Sequence, residues 1–293
     1  MEGTLQTRIF VSADGVRLVA DHGGAADAPA VILLHGGGQT RHSWSRAVAS
    51  LVGQGFQVIN FDARGHGDSD WSQAGAYRLT DRVADLRAVV ETLSVPYVLV
   101  GASLGGGTSI LAVDEGLRPA GLVLVDIVPE PNAAGVDRIV SFMRSRPDGF
   151  ANVEEAVAAV AAYNPQRKAP PDPNGLMKNL RQGEDGRLRW HWDPAILLLS
   201  PGILNADVQR AAARLTSMPD LPVLLVRGLS SDVVSDAGVE AFRTTVPHLE
   251  TLDVAGAGHM VAGDRNDAFN DGIIAFARRV LGASPVAAPA FPD

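Results

Sequence analysis

Short apolar runs and amphipathic stretches take turns along this chain. Gln6–Ser12 and Val16–Asp21 alternate apolar and polar residues with a period of two, and Ala13-Asp14-Gly15 between them carries turn chemistry. They predict an antiparallel hairpin. Val31–Leu34 is a continuous apolar run ending in Gly36-Gly37-Gly38, which a strand buried on both faces of a parallel sheet requires. Phe56–Phe61, Tyr97–Val100, Leu122–Val125, Val223–Val226 and Glu250–Val254 are further strands. Between them Ser43–Val52, Thr80–Leu93, Leu104–Asp114, Ala237–Val246 and Asp267–Leu281 read as helices. In the second of these, Leu79, Val83, Leu86, Val89, Val90 and Leu93 recur at the helical period, with Thr80 or Asp81 placed to cap it. Strand and helix alternate at short spacing, so βαβ units with right-handed crossovers are expected.

The rhythm breaks once. Between Pro129 and Pro219 there is no parallel-strand pattern, but helical stretches at Val136–Ser145, Val153–Ala162 and Ala206–Thr216, separated by Pro-rich loops such as Ala169–Pro173. The expected organisation is one α/β core built from residues 1–128 and 219–293, with a helical insert over 129–218.

Composition narrows the chemistry. The 293 residues include 25 Lys and Arg against 33 Asp and Glu, a net charge of −8, and no cysteine. Disulfides, thiolate nucleophiles and Cys-based zinc or iron–sulfur sites are thereby removed. An acidic chain is a poor partner for nucleic acid or anionic lipid. The N-terminal residues lack a basic segment followed by an apolar one, and the apolar runs fall far short of the ~20 residues that span a bilayer. A soluble cytoplasmic protein is the expectation, with the Ala- and Pro-rich tail from Ala283 remote from any chemistry. No H-x-H, H-E-x-x-H, G-x-G-x-x-G or G-x₄-G-K-[ST] pattern occurs, so neither a metal nor a nucleotide cofactor is expected.

The sharpest chemical signal is Gly101-Ala102-Ser103-Leu104-Gly105, a G-x-S-x-G between a strand and a helix. On such a turn the serine hydroxyl is held exposed, the flanking glycines relieve crowding, and the helix N-terminus favours developing negative charge. Ser103 is the candidate nucleophile. A serine hydroxyl needs a base, and His259, on a loop of small residues after the last strand, is the candidate. The base needs an orienting carboxylate. Asp232, beyond the strand Leu221–Val226, gives the chain order Ser, Asp, His and is the first choice; Asp126, closing the strand Leu122–Val125, is the rival. Oxyanion donors are expected from the backbone amide of Leu104 and from the loop His35–Gly38, where Gly37 is preferred and Gly38 is the alternative.

The set HGGGQTRHSW (35–44), FDARGHGDSD (61–70), GASLG (101–105), LLVRGLSSDVV (224–234) and GAGHM (256–260) resembles the α/β-hydrolase fold family, over nearly all of the chain outside 129–219. That resemblance implies an eight-stranded, mostly parallel sheet with helices on both faces and a helical cap inserted after its sixth strand. It is similar to the capped branch that holds esterases, lactonases, C–C bond hydrolases and cofactor-free haloperoxidases. Epoxide hydrolases and dehalogenases of that branch carry Asp where this chain has Ser103. The implied activity is hydrolysis of a carboxylic ester or lactone through an acyl-enzyme. The alternatives are perhydrolysis, C–C hydrolysis or a lyase reaction at the same triad, or a non-catalytic ligand receptor; receptors of this fold often lack a triad residue that this chain keeps. The partner expected is a small apolar substrate, with Trp190, Trp192, Phe142, Met143 and Gly38 as candidate contacts. Oligomeric state is open.

Overall fold

The computed structural model describes residues 5–163, 173–259 and 266–282. The Pro-rich loop at 169–172 and the tail from 283 lie outside the described residues. Strands β1 (Gln6–Val11) and β2 (Arg17–Gly23) form the expected hairpin, with Phe10 opposite Leu18. The strands β3 (Ala30–Leu34), β4 (Gln57–Phe61), β5 (Tyr97–Ala102) and β6 (Gly121–Val125) follow, and the sheet is completed much later by β9 (Val223–Gly228) and β10 (Leu249–Val254). The order across the eight-stranded sheet is β1-β2-β4-β3-β5-β6-β9-β10. Pairing is antiparallel from β1 to β2 and from β2 to β4, and parallel at every later step. Every residue of β3, β4 and β6 is buried; β3 and β6 are unbroken apolar runs, whereas β4 also buries Gln57 and Asn60.

Two cores sandwich the sheet. On one face α2 (Leu79–Val90), α3 (Leu104–Asp114) and α8 (Asp236–Thr245) bury Leu86, Ile110 and Phe242 against Ile32, Leu99 and Leu225. On the other, α1 (Ser45–Gly53) and the C-terminal helix α9 (Asn266–Leu281) bury Leu51, Phe269 and Ile273 against Val31, Val98 and Val123. The alternating faces of one strand, Val31 and Ile32, thus supply both cores.

The insert holds α4 (Ala133–Arg144), α5 (Val153–Tyr163), α6 (Pro173–Met177), β7 (Leu180–Gln182), β8 (Leu188–Trp190) and α7 (Pro201–Leu215). It differs from the expected all-helical segment in two ways. β7 and β8 form an antiparallel hairpin, bridged to Phe150 and packed into a small cluster of Phe150, Ala156, Leu180 and Leu188. Helix α7, in turn, belongs to the main core by packing: Val208, Ala211, Ala212 and Leu215 share one cluster with Ile110 and Leu111 of α3. Two alanines on its inward face let it lie close to α3. A boundary at residue 218 therefore runs behind a helix of the α/β layer. Among the described residues, no helix is long and apolar enough to cross a membrane.

Because β3, β5, β6, β9 and β10 run parallel, their C-terminal ends share one edge. The loops that leave that edge carry His35–Gly38, Ser103, Asp126, Gly228–Asp232 and His259.

Candidate active site

Ser103 stands between β5 and α3 at φ 46° and ψ −111°. A residue with a side chain rarely adopts positive φ, and the surroundings must hold it there. The Ser103 amide donates to the Val125 carbonyl at 3.0 Å, and its carbonyl accepts from the Gly107 amide at 2.9 Å. The two glycines of the motif have separate steric reasons. A Cβ on Gly101 would overlap the Gly105 carbonyl, and a Cβ on Gly105 would overlap the Leu34 carbonyl of β3. The turn is tight because helix and strands meet backbone to backbone.

Asp126, one residue beyond β6, also takes a positive φ of 48°. Its amide donates to the Val226 carbonyl at 2.8 Å, which pins it to β9. The carboxylate is 1% exposed and collects three donors. Oδ1 accepts from the Gly228 amide at 3.2 Å; Oδ2 accepts from the Ser231 hydroxyl at 2.6 Å and from His259 Nδ1 at 2.6 Å. An ionised carboxylate can only accept, so the imidazole proton sits on Nδ1 and Nε2 keeps its lone pair. The loop bearing His259 is fastened to the end of β9 by the Ser230 amide on the Ala257 carbonyl at 2.9 Å.

This arrangement corrects the sequence-based preference for Asp232. That residue turns away from His259 and forms an ion pair with Arg138 of α4, with its side chain 30% exposed. Its carbonyl is packed so closely on α4 that a Cβ at Gly135 would overlap it. Asp232 therefore ties the insert to the loop after β9. Its neighbour Ser231 is what reaches the site, holding Asp126 while accepting the Val233 and Val234 amides at 3.1 Å each.

The loop after β3 is fixed peptide by peptide. The Gly36 amide donates to Gln39 Oε1 at 3.0 Å, and the Gly36 carbonyl accepts from His35 Nδ1 at 2.8 Å. The Gly38 amide donates to His66 Nε2 at 3.2 Å. All peptides among the described residues are trans, so the Gly37 N–H points opposite to the Gly36 carbonyl, away from His35. Neither the Gly37 amide nor the Leu104 amide has an acceptor among the described residues. A Cβ on Gly36 would lie 3.5 Å from Ser103 Cβ, and one on Gly37 would lie 3.8 Å from Leu104 Cδ2, so loop and elbow adjoin. Of the two glycine amides considered, Gly38 is occupied and Gly37 is open.

The insert reaches this loop. A Cβ on Gly38 would lie 3.3 Å from Met143 and 3.4 Å from Trp192. Trp192 stacks on Trp190 with centroids 5.1 Å apart, and Phe142 links Trp190 at 5.5 Å to Tyr163 at 4.2 Å. Trp192 and Met143 are buried, while Trp190 and Phe142 are half-buried.

Sequence reading assigned no site role to three buried histidines that the structure brings beside the loop. His35 and His66 are 5.1 Å apart by ring centroids, and His66 and His191 are 5.8 Å apart. Each ring donates to one carbonyl and accepts from one amide. His35 accepts from Ala63 at 3.0 Å, His66 donates to Arg64 at 3.1 Å, and His191 accepts from Gly67 at 2.7 Å and donates to Gly38 at 3.3 Å. Burial, the largest cause, holds all three neutral: the His35 pKa is lowered, that of His66 lies well below 6.5, and that of His191 falls to about 3. Above pH 6.5 neither folded nor unfolded chain binds these protons. Below 6.5 the unfolded chain takes them up and the folded chain does not, so stability declines with acid. His191 alone should give a slope approaching about 1.4 kcal/mol per pH unit, and His35 and His66 act in the same direction. Urea unfolding at pH 7.5, 6.0 and 5.0 checks this; a flat stability across that range would contradict it. Among the described residues no group of three His, Asp or Glu is arranged to hold a metal ion.

Comparison with known proteins agrees with the geometry. A family profile described as "Alpha/beta hydrolase family" matches residues 31–271. The chain is 30% identical over 250 residues to "Esterase Rv0045c" of Mycobacterium tuberculosis, covering 81% of this chain and 79% of that protein. It is 28% identical over 270 residues to the mouse "sn-1-specific diacylglycerol lipase ABHD11", covering 86% and 82% of the two chains. The crystal structure of "E-2-(Acetamidomethylene)succinate Hydrolase" superposes with a TM-score of 0.82 at 24% identity, over 93% of this chain and 99% of that one, a likeness of fold. With the elbow, the sheet order and these matches together, the chain belongs to the alpha/beta hydrolase family and is a hydrolase.

Proposed function

We propose that the protein hydrolyses carboxylic esters through a covalent acyl-enzyme on Ser103, with His259 as base and Asp126 as its orienting acid. The observation that carries this is the buried Asp126 carboxylate, 2.6 Å from His259 Nδ1, which leaves Nε2 basic on the strand edge where Ser103 stands. The relatives named as an esterase and a lipase support an ester as substrate. His259 Nε2 takes the Ser103 proton as Oγ attacks the ester carbonyl. The oxyanion is held by the Gly37 and Leu104 amides, which are free to donate. The tetrahedral adduct collapses, the C–O bond to the alcohol breaks, and His259 returns the proton to the leaving oxygen. Water, deprotonated by the same imidazole, then attacks the acyl group, releasing the carboxylic acid and Ser103. In this reading the described part of the insert ahead of α7 caps the site, and Phe142, Met143, Trp190 and Trp192 present an apolar surface to the acyl group.

A panel of p-nitrophenyl esters of graded chain length, lactones and acyl thioesters tests the reading. Ester hydrolysis is expected, and a fluorophosphonate should stop it with one adduct per chain on the peptide containing Ser103. Hydrolysis that survives complete labelling of that peptide would overturn the assignment.

A further inference from the structure

Gly38 is gripped from both sides. Its amide donates to His66 Nε2 at 3.2 Å, and its carbonyl accepts from His191 Nε2 at 3.3 Å. The second partner is remote in sequence and belongs to the insert, directly after β8. The other nitrogen of the same ring accepts the Gly67 amide at 2.7 Å. One insert side chain thus bridges the loop after β3 and the loop after β4. The backbone of residue 191 is itself held, its amide donating to the Asn179 carbonyl at 3.1 Å beside β7. The flanking Trp192 and the nearby Met143 fill the space over Gly38. A glycine at φ 71° has few intrinsic restraints, so these contacts decide how the peptides on either side of Gly38 lie. The Gly37 amide, the open donor of the loop, sits immediately before them.

Resting on the esterase reading above, we infer that His191 is a positioning residue: it couples the docking of the insert to the orientation of the Gly37 amide. His191 does not touch the reacting atoms. The Gly37 N–H shares a peptide with the Gly36 carbonyl that His35 holds; His66 and His191 fix the next two peptides, at the Gly38 amide and carbonyl, so the chain leaving Gly37 cannot turn that N–H away from an oxyanion. An interaction that matters chiefly in the transition state appears in kcat, while KM changes little. Substrates that settle well against Trp192 and Met143 would keep the clamp closed, so the insert would select among acyl groups through turnover as much as through affinity.

Two substitutions separate hydrogen bonding from shape. His191→Leu keeps bulk and removes both bonds. His191→Gln offers an N–H to Gly38 and a carbonyl oxygen to Gly67 with nearly the imidazole spacing. On a p-nitrophenyl ester, His191→Leu should lower kcat by roughly 10²-fold, the scale of a small misplacement of catalytic groups, with KM within about threefold. His191→Gln should recover kcat to within about tenfold of wild type. Deuterium uptake of the peptide covering residues 35–44 should rise in His191→Leu and return in His191→Gln, with that of α9 unchanged. A wild-type kcat in His191→Leu, a loss confined to KM, or a Gln variant as impaired as Leu would overturn the inference. The exchange measurement needs no turnover. If wild type shows no ester hydrolysis sensitive to fluorophosphonate, the esterase reading falls while loop exchange still decides the coupling: unchanged uptake in His191→Leu rejects it. If His191→Leu does not fold, His191→Ala takes its place in both arms.

Discussion

Ser103→Ala is expected to lower kcat for ester hydrolysis by on the order of 10⁶-fold, the scale seen when a serine hydrolase loses its nucleophile. The fold should survive. The strain at φ 46° is imposed by the tight backbone contacts of Gly101 and Gly105 and by the Val125 carbonyl, none of which involves the hydroxyl. Alanine, smaller than serine, fits the same turn. A residual rate above the uncatalysed reaction should remain, because the amides of Gly37 and Leu104 and the binding surface are untouched. Steady-state kinetics with p-nitrophenyl acetate, run beside a urea melt, separates loss of chemistry from loss of fold. Near-wild-type turnover would remove Ser103 from the mechanism.

Asp126→Asn should lower kcat by roughly 10⁴-fold, the cost of forcing the wrong imidazole tautomer. The isosteric amide can keep the Gly228 bond through its oxygen. Asparagine also tolerates the left-handed backbone at φ 48°. The nitrogen that replaces Oδ2 donates where the carboxylate accepted. His259 Nδ1 must then accept, the ring proton moves to Nε2, and the imidazole cannot take the serine proton. The Ser231 hydroxyl loses its acceptor at this position but keeps the Val233 and Val234 amides, and with the Gly228 bond these should hold the loop after β9 in place. The defect is therefore one of proton inventory rather than of shape, and a circular dichroism spectrum should match wild type.

Much of this architecture is legible in the residues. The apolar runs of β3, β5 and β6 announce strands buried on two faces, and the glycines around Ser103 announce a turn too tight for side chains. Gly37 is legible because a loop with three glycines after a parallel strand brings bare backbone to the edge. The acid is different. Asp126 and Asp232 both follow parallel strands, and both give the chain order Ser, Asp, His, so order along the chain does not separate them. What decides between them is the lateral order of the sheet, in which β6 lies between β5 and β9. That order places the residue directly after β6 next to Ser103 and next to the loop fastening His259. Asp232 lies four residues past Gly228, the end of β9 (232 − 228), far enough along its loop to meet α4 instead. Local sequence carries no trace of that neighbour. The hairpin β7–β8 escapes notice because three-residue strands offer no period to detect. Helix α7 shows an apolar stripe, but the stripe does not say which core it joins. His66 and His191 reveal their roles solely through partners distant in the chain: Gly38 lies 28 residues from one and 153 from the other.

The role of Asp126 as the acid serving His259 is tested most directly by one comparison: kcat of Asp126→Asn and Asp232→Asn on the same p-nitrophenyl ester. Asp126→Asn should fall by roughly 10⁴-fold, while Asp232→Asn, which loses only the half-exposed ion pair with Arg138, should turn over at the wild-type rate. The reverse ranking, with Asp232→Asn crippled and Asp126→Asn active, would contradict it.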